Sequence, residues 1–411
     1  DSRWGVFPSF SGAWRIINEP FMEGTRNVLS DLKLRGGWGV LGNQAISYYS
    51  YQSVLDQANY SFGGTVVQGV APVDGANRDL IWETTETLNF GLDMGFLGNQ
   101  YTLSIEGYRK LAYDILMKLP VSTLYGLNAP YQNAGKVKNT GLEITAGYKL
   151  NTHGWNFQVS ANAAYNKNEV MDLKNGGARI WSGKYFNQEG YAINSIGGYI
   201  AEGLFKTEEE VANSATIPGT DTAPGDIKYR DINNDGKIDG EDRVYIGNTM
   251  PKWTFGLNLF AEWKGLDATF LFQGAADVQG YLAGPGVVGE MIGAKGKPSY
   301  MYRDCWDAET NPNGKFPRAF SSYRQNNSIY NPSSFWIVNS SYLRLKNFQL
   351  GYTLPKEWCN MMGISRIRVY YSGQNLLTFT KFDKGFDPES PEGGSSYPQV
   401  KTNTFGLNIT F

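Results

Sequence analysis

Apolar residues recur at every second position along much of this chain. Trp253, Phe255, Leu257, Leu259, Ala261 and Trp263 fall on one side of an extended segment; Thr254, Gly256, Asn258 and Glu262 fall on the other. Trp155, Phe157, Val159, Ala161, Ala163 and Tyr165 repeat the pattern against Asn156, Gln158, Ser160, Asn162 and Asn166. Period two marks half-buried strands. A soluble sandwich alternates as well, but its strands run about 5–6 residues and it keeps Trp inside. Here Trp4 and Trp14, Trp155 and Tyr165, and Trp253 and Trp263 are each ten positions apart on the apolar side. Ten steps of roughly 3.3 Å, tilted by about 40°, project to about 25 Å, the height of the apolar band between the aromatic girdles of a membrane barrel. The fold class expected is all-β, a transmembrane antiparallel β-barrel.

The same reading predicts strands near 3–16, 30–41, 86–96, 101–117, 140–150, 155–167, 253–263, 266–274, 342–354, 365–377 and 402–411. Short connections (17–29, 97–100, 151–154, 264–265, 355–364) alternate with long ones (42–85, 118–139, 168–252, 275–341, 376–401). Outer-membrane barrels put short turns on the periplasmic side and long loops outside. Eleven strands is an odd number, and an open edge cannot face lipid, so the expectation for residues 1–411 is the C-terminal part of one barrel domain whose first strands lie elsewhere. In 342–354 the apolar parity switches from Leu343 and Leu345 to Phe348, Leu350 and Tyr352, which predicts a bulge near Lys346 or Asn347. The last strand carries Phe405, Leu407, Ile409 and a terminal Phe411 on one side, similar to the closing signal of outer-membrane barrels.

Composition narrows the function classes. No apolar run is long enough for a membrane helix, so membrane contact falls to strands. Lys+Arg 37 against Asp+Glu 39, with no basic stripe, argues against nucleic acid as a partner. The single histidine, His153, sits in the turn Asn151-Thr152-His153-Gly154, which leaves little room for histidine catalysis. Cys305 and Cys359 are placed by the loop pattern on opposite sides of the membrane and are expected to be unpaired. The chain opens without a signal peptide, although a barrel of this kind implies export.

One loop carries a metal motif. From Asp231 to Asp242 the chain reads DINNDGKIDGED, the EF-hand pattern up to its final position, where Asp replaces Glu. Side chains of Asp231, Asn233, Asp235, Asp239 and Asp242 and the Lys237 carbonyl are the predicted ligands of a structural Ca²⁺, with Gly236 making the sharp turn. A metal-free Asn/Asp/Gly turn is the competing reading.

Several segments together resemble the SusC/RagA-type TonB-dependent transporters of Gram-negative outer membranes. They are Arg3-Trp4-Gly5-Val6-Phe7-Pro8-Ser9, Leu32-Lys33-Leu34-Arg35 with Gly42-Asn43-Gln44, and Asn133-Ala134-Gly135-Lys136-Val137 with Asn139-Thr140-Gly141-Leu142-Glu143. Tyr342-Leu343-Arg344-Leu345-Lys346-Asn347, Leu350-Gly351-Tyr352-Thr353-Leu354-Pro355 and Gly373-Gln374-Asn375-Leu376 complete the set. The resemblance implies a 22-stranded barrel, of which these are the last eleven strands, with an N-terminal plug. It further implies a SusD-like surface lipoprotein as partner, energy from the TonB complex through the missing part, and active import of an oligomeric nutrient. An oligosaccharide is the favoured cargo and an oligopeptide the alternative. No bond is made or broken in such transport. A passive porin or an outer-membrane enzyme are the readings from other classes.

Tyr48, Tyr49, Tyr51, Trp181, Tyr185 and Phe186 lie in the long loops, where aromatic faces can stack on sugar rings or grip peptide side chains; loop-loop packing is the alternative. Two other signals fall away. Gly37-Trp38-Gly39-Val40-Leu41-Gly42 matches a dinucleotide-binding fingerprint, but no helix follows it. Glu208, Glu209 and Glu210 read as solvated loop surface.

Overall fold

The computed structural model describes residues 4–282, 303–319, 331–361, 363–382, 386–390, 397 and 399–411. Its main sheet has eleven strands: β1 (Ser9–Trp14), β2 (Leu29–Asn43), β3 (Glu83–Phe96), β4 (Tyr101–Tyr113), β5 (Lys136–Thr152), β6 (Trp155–Asp172), β7 (Trp253–Trp263), β8 (Leu266–Ala276), β9 (Tyr342–Thr353), β10 (Arg366–Thr380) and β11 (Thr402–Thr410). Each lies beside its neighbour in sequence, so the sheet is a meander. Among the described residues no helix is long and apolar enough to cross a membrane.

The turn chemistry explains the tight hairpins. His153 (φ 49°) and Gly154 (φ 82°) connect β5 to β6, and Lys264 (φ 46°) and Gly265 (φ 85°) connect β7 to β8. Two successive positive-φ residues are what the right-handed twist of a hairpin demands of a two-residue loop. At Gly265 a side chain is excluded twice over, because a Cβ would stand 2.5 Å from the Thr353 carbonyl oxygen.

Against the sequence expectation β3 begins early at Glu83, β4 ends at Tyr113 rather than 117 and β10 runs on to Thr380 rather than 377, and three further boundaries bear on the girdle and the loops. The first strand starts at Ser9 rather than residue 3, so Trp4 stands outside it and does not form a girdle pair with Trp14. Pro8 has no N–H to donate, although its carbonyl accepts from Val40 N at 2.9 Å; regular pairing therefore begins one residue later. The other two are extensions: β5 begins at Lys136 and β6 continues to Asp172, which shortens the loops expected at 118–139 and 168–252. The fingerprint at 37–42 lies inside β2.

The chain divides into two compact units. In the unit of Asp1–Ala146, Ala164–Ser182 and Phe186–Ile193, register places Leu34, Trp38, Leu88, Leu92, Leu103 and Ile105 on one face of β2, β3 and β4, and Arg35, Asp93, Asn89, Ser104 and Glu106 on the other. The long connections of this unit carry extra strands. Leu55–Phe62 pairs with Thr65–Pro72 through the positive-φ pair Gly63-Gly64, and Leu116–Lys118 pairs with Tyr131–Asn133. A small core of Val137, Val170 and Leu173 holds the loop bases together.

In the unit of Gly147–Ala163, Gly183–Tyr185 and Asn194–Phe411, β7 pairs β8 over its whole length, from Trp253 opposite Ala276 to Trp263 opposite Leu266. The outward row carries large exposed side chains, with Phe405 83% exposed and Trp253, Trp263, Leu350, Tyr352, Val369 and Leu407 also exposed. Register shifts occur between Leu271 and Phe272 against β9 and between Leu345 and Asn347 against β10. The expected bulge is therefore at Lys346, and β10 answers it with Asn375 at φ 52°. Between the strands, Ile196, Tyr199, Leu204, Ile227, Tyr229, Ile238, Tyr281, Trp306, Trp336 and Phe382 form a buried core of their own.

Candidate functional site

Three sets of residues face functional questions, and each is built by a different local device. The first is the inward row of the sheet. Arg35 Nε lies 3.2 Å from Asp93 Oδ2, Ser104 donates to Asp93 at 2.7 Å, and Asn89 donates to Glu106 at 3.0 Å. In the second unit Arg368 Nε donates to Asp267 Oδ2 at 2.9 Å, and its Nη2 reaches Gln349 at 3.3 Å. Gly351 makes room for this pair, since a Cβ there would stand 2.3 Å from Arg368 Nη2. These residues were not singled out from sequence. The signal available was charge of both signs on the polar parity of adjacent strands.

The second set is the loop aromatics. Tyr48 is 94% exposed, Tyr49 and Tyr51 are exposed, and the last two rings sit 6.4 Å apart. This stretch leaves its rings open to solvent. Phe186 is closed off: it is 0% exposed, packed 5.3 Å from Trp181 and 5.4 Å from Tyr191, with the Arg179 guanidinium 5.3 Å over its ring. An aromatic at the centre of a loop core is removed from contact because burying its ring stabilises the loop more than exposing it. Trp181 is half-buried against Phe186. Tyr185, in the other unit, is half-buried against the core that contains Tyr281, and the Lys184 ammonium lies 5.1 Å over its ring.

The third set is the acidic turn. Asp231 gathers the chain: its Oδ1 accepts from Asn234 N at 2.7 Å and Asp235 N at 3.3 Å, and its Oδ2 accepts from Gly236 N at 2.8 Å. Gly236 takes φ 85° and Asn234 φ 59°, the left-handed backbone that the motif's sharp turn requires. Asn233 donates to Asp235 Oδ2 at 3.3 Å. The Lys237 ammonium lies 2.9 Å from Asp239 and 3.5 Å from Asp235. Asp239 accepts from Glu241 N at 2.9 Å, and this bond, followed by the Lys237 ammonium, holds its carboxyl below the usual carboxylate range. Asp242 is buried and accepts from Ile232 N at 2.7 Å and Asp239 N at 2.8 Å, closing a capping box. Ile238 anchors the turn in the core, and its N–H donates to Thr216 O at 3.0 Å. Among the described residues no three acidic, histidine or cysteine side chains converge as a cation cage. The backbone of the turn fits a calcium loop, while Asp239 and Asp242 point at backbone N–H groups.

Comparison with known proteins puts these sets in context. Residues 1–376 match the family described as TonB dependent receptor-like, beta-barrel. The chain belongs to that family. TonB-dependent receptor P3 of Formosa agariphila is 30% identical over 435 residues, covering 100% of this chain and 42% of the relative. TonB-dependent receptor SusC of Bacteroides thetaiotaomicron is 30% identical over 448 residues, covering 100% of this chain and 40% of the relative. Among solved structures, the RagAB peptide transporter superposes with a TM-score of 0.76 at 27% identity, over 100% of this chain and 44% of that one. The chain thus spans less than half the length of the relatives it matches. Its place as a TonB-dependent receptor barrel of SusC/RagA type is the outer membrane. That solvent accounts for the exposed outward row, because lipid tails cover apolar side chains that water would reject.

Proposed function

We propose that this chain supplies barrel wall and extracellular loops to a TonB-dependent importer of an oligomeric nutrient, working with a SusD-like surface lipoprotein. The observation that carries the reading is the match of residues 1–376 to a TonB-dependent receptor barrel, combined with a polar, ion-paired inward row. The barrel binds and releases cargo; no residue set here argues for bond chemistry. An oligosaccharide is the favoured cargo, because the open loop stretch offers uncharged Tyr48, Tyr49 and Tyr51 ring faces, which suit the apolar faces of sugar rings. An oligopeptide is the second reading, favoured by similarity to the RagAB peptide transporter. Isothermal titration of the whole protein and its lipoprotein with oligosaccharides and with mixed oligopeptides separates them. Peptide-only binding overturns the glycan assignment. Uptake that persists after loss of TonB overturns active transport and leaves a passive pore.

We also infer that the 231–242 turn takes Ca²⁺ as a structural clamp on the long loop after β6. The supporting facts are the ligand spacing, the positive φ at Gly236, and five carboxylates against one lysine in twelve residues, a charge balance that attracts a cation. Binding requires Asp242 to exchange backbone N–H partners for the ion, and the shorter Asp in place of Glu weakens the site, which outside the cell still suffices because extracellular modules bind at about 10⁻⁴ to 10⁻³ M. Calcium titration followed by protease resistance at 205–245 tests this. Equal resistance in millimolar calcium and in chelator refutes it.

A further inference from the structure

The irregularity at Lys346 has a geometric result that reaches beyond strand pairing. In β9, Tyr342 pairs Ala275 and Arg344 pairs Gln273, on the inward row; after the shift, Asn347, Gln349 and Gly351 continue that row. Lys346 is the extra residue, and it keeps the parity of Arg344. Arg344 and Lys346 thus succeed one another on the inward face as strand alternation places residues two apart, and the bulge brings Asn347, Gln349 and Gly351 onto the same face after them.

Both cations hold the same five-residue stretch of the last long connection. Arg344, only 2% exposed, donates from Nη2 to Asp387 Oδ1 at 2.8 Å and from Nε to Thr378 Oγ1 at 3.0 Å. Its Nη1 stands 3.2 Å from Glu389 Oε2 without the alignment of a hydrogen bond. Lys346 Nζ donates to both oxygens of Glu389, at 3.1 and 3.0 Å. Ser340, fully buried, donates from Oγ to the Pro388 carbonyl at 2.7 Å. Asp387 Oδ1 also accepts from Glu389 N at 2.8 Å, which folds the acidic pair into one compact turn. Just before this turn Phe382 enters the buried core and Phe386 packs against it. Arg344 and Asp387 are thus buried together with a mostly buried Glu389 and a half-buried Lys346, a set that is tolerable when complete and unfavourable when one member is removed.

We propose that residues 386–390 form a charge-fastened strap, held by Arg344 and Lys346, that fixes the last long connection to the inward face of β9. The strap is a fixed anchor rather than a salt-sensitive surface contact, because its central Arg344–Asp387 pair is withdrawn from solvent and is poorly screened.

The test uses the whole protein in detergent, with hydrogen exchange read at residues 386–390. Glu389→Lys is expected to lower protection of the strap at least about tenfold, and the charge exchange Lys346→Glu/Glu389→Lys to restore most of it. Raising NaCl to 1 M leaves the wild-type strap protected. Retention of heat-modifiable migration on gels shows that each variant is still a folded barrel; if Glu389→Lys prevents folding, Glu389→Gln replaces it and is expected to lose protection in the same segment only. Unchanged protection in Glu389→Lys or Glu389→Gln, no recovery in the double variant, or release of the wild-type strap by salt overturns the proposal.

Discussion

The outward row of β7 and the loop core around Trp336 are both built from large apolar side chains, yet they obey opposite solvents. Trp253, Trp263, Leu350 and Leu407 stand exposed on the sheet, whereas Trp336 is 2% exposed and packs among Ile238, Tyr229 and Tyr281. In the loops water drives burial, so the core resembles that of a soluble domain. On the sheet lipid covers the row, and what must be hidden instead is the polar backbone, which the strands pair among themselves. Exposure of apolar surface therefore signals membrane contact in one region and would signal a defect in the other.

The largest test of this contrast is Trp336→Ala. Removing a buried indole from the loop core costs about 3–5 kcal/mol, and the loss should appear as proteolysis in the loop stretches 195–247 and 331–340 while β7, β8 and the other strands stay protected. Loss of the strands at the same rate would show that the two regions do not differ as described. Next comes a matched pair on β7. Leu257→Arg on the outward row should destabilise insertion into bilayers by about 2–4 kcal/mol, and Asn258→Arg, one residue away on the inward row, by about 1 kcal/mol or less, both measured by denaturant titration in vesicles. Equal costs would deny the sheet its two-solvent character. Smaller again is Gly351→Ala, whose Cβ must displace Arg368 or Asp267. A cost of about 1–3 kcal/mol is expected, with loss of the Arg368–Asp267 pair; a neutral result would mean the pair yields freely.

The last test changes reactivity rather than fold. Burial pushes the Cys305 thiol up to about 11 from the ordinary 9.0. Folding therefore retains the proton: this contribution is present below the unfolded pKa and fades as pH rises through 9 to 11. Alkylation at pH 8 should be on the order of 100-fold slower in the folded protein than in the unfolded chain. A thiol as fast as the unfolded one would place Cys305 outside the core. Cys305 and Cys359 are not joined by a disulfide.

Much of the architecture was legible because it rests on local rules. Period-two alternation set all eleven strands, the short connections carried the glycines and the His153 turn that hairpins need, and the broken parity at 342–354 marked its bulge in advance. The exception in β1 was also local, since Pro8 removes a donor that pattern counting ignores. The candidate sites divided along a different line. Spacing was enough to mark the Asp231–Asp242 turn, because every proposed ligand comes from one short stretch. Spacing could not tell Tyr48, open to solvent, from Phe186, fully buried, because both are loop aromatics and only packing separates them.

What the linear pattern decided, then, was which face of each strand is apolar and where the chain turns, since those depend on neighbours two to four residues apart. Tertiary structure decided which charges meet. Arg344 finds Asp387 across 43 residues and Arg368 finds Asp267 across 101. Such partners are chosen by register, by a bulge that turns Gln349 and Gly351 to the face of Arg368, and by a glycine that leaves room, none of which is set by the chain's composition at either end of the bond.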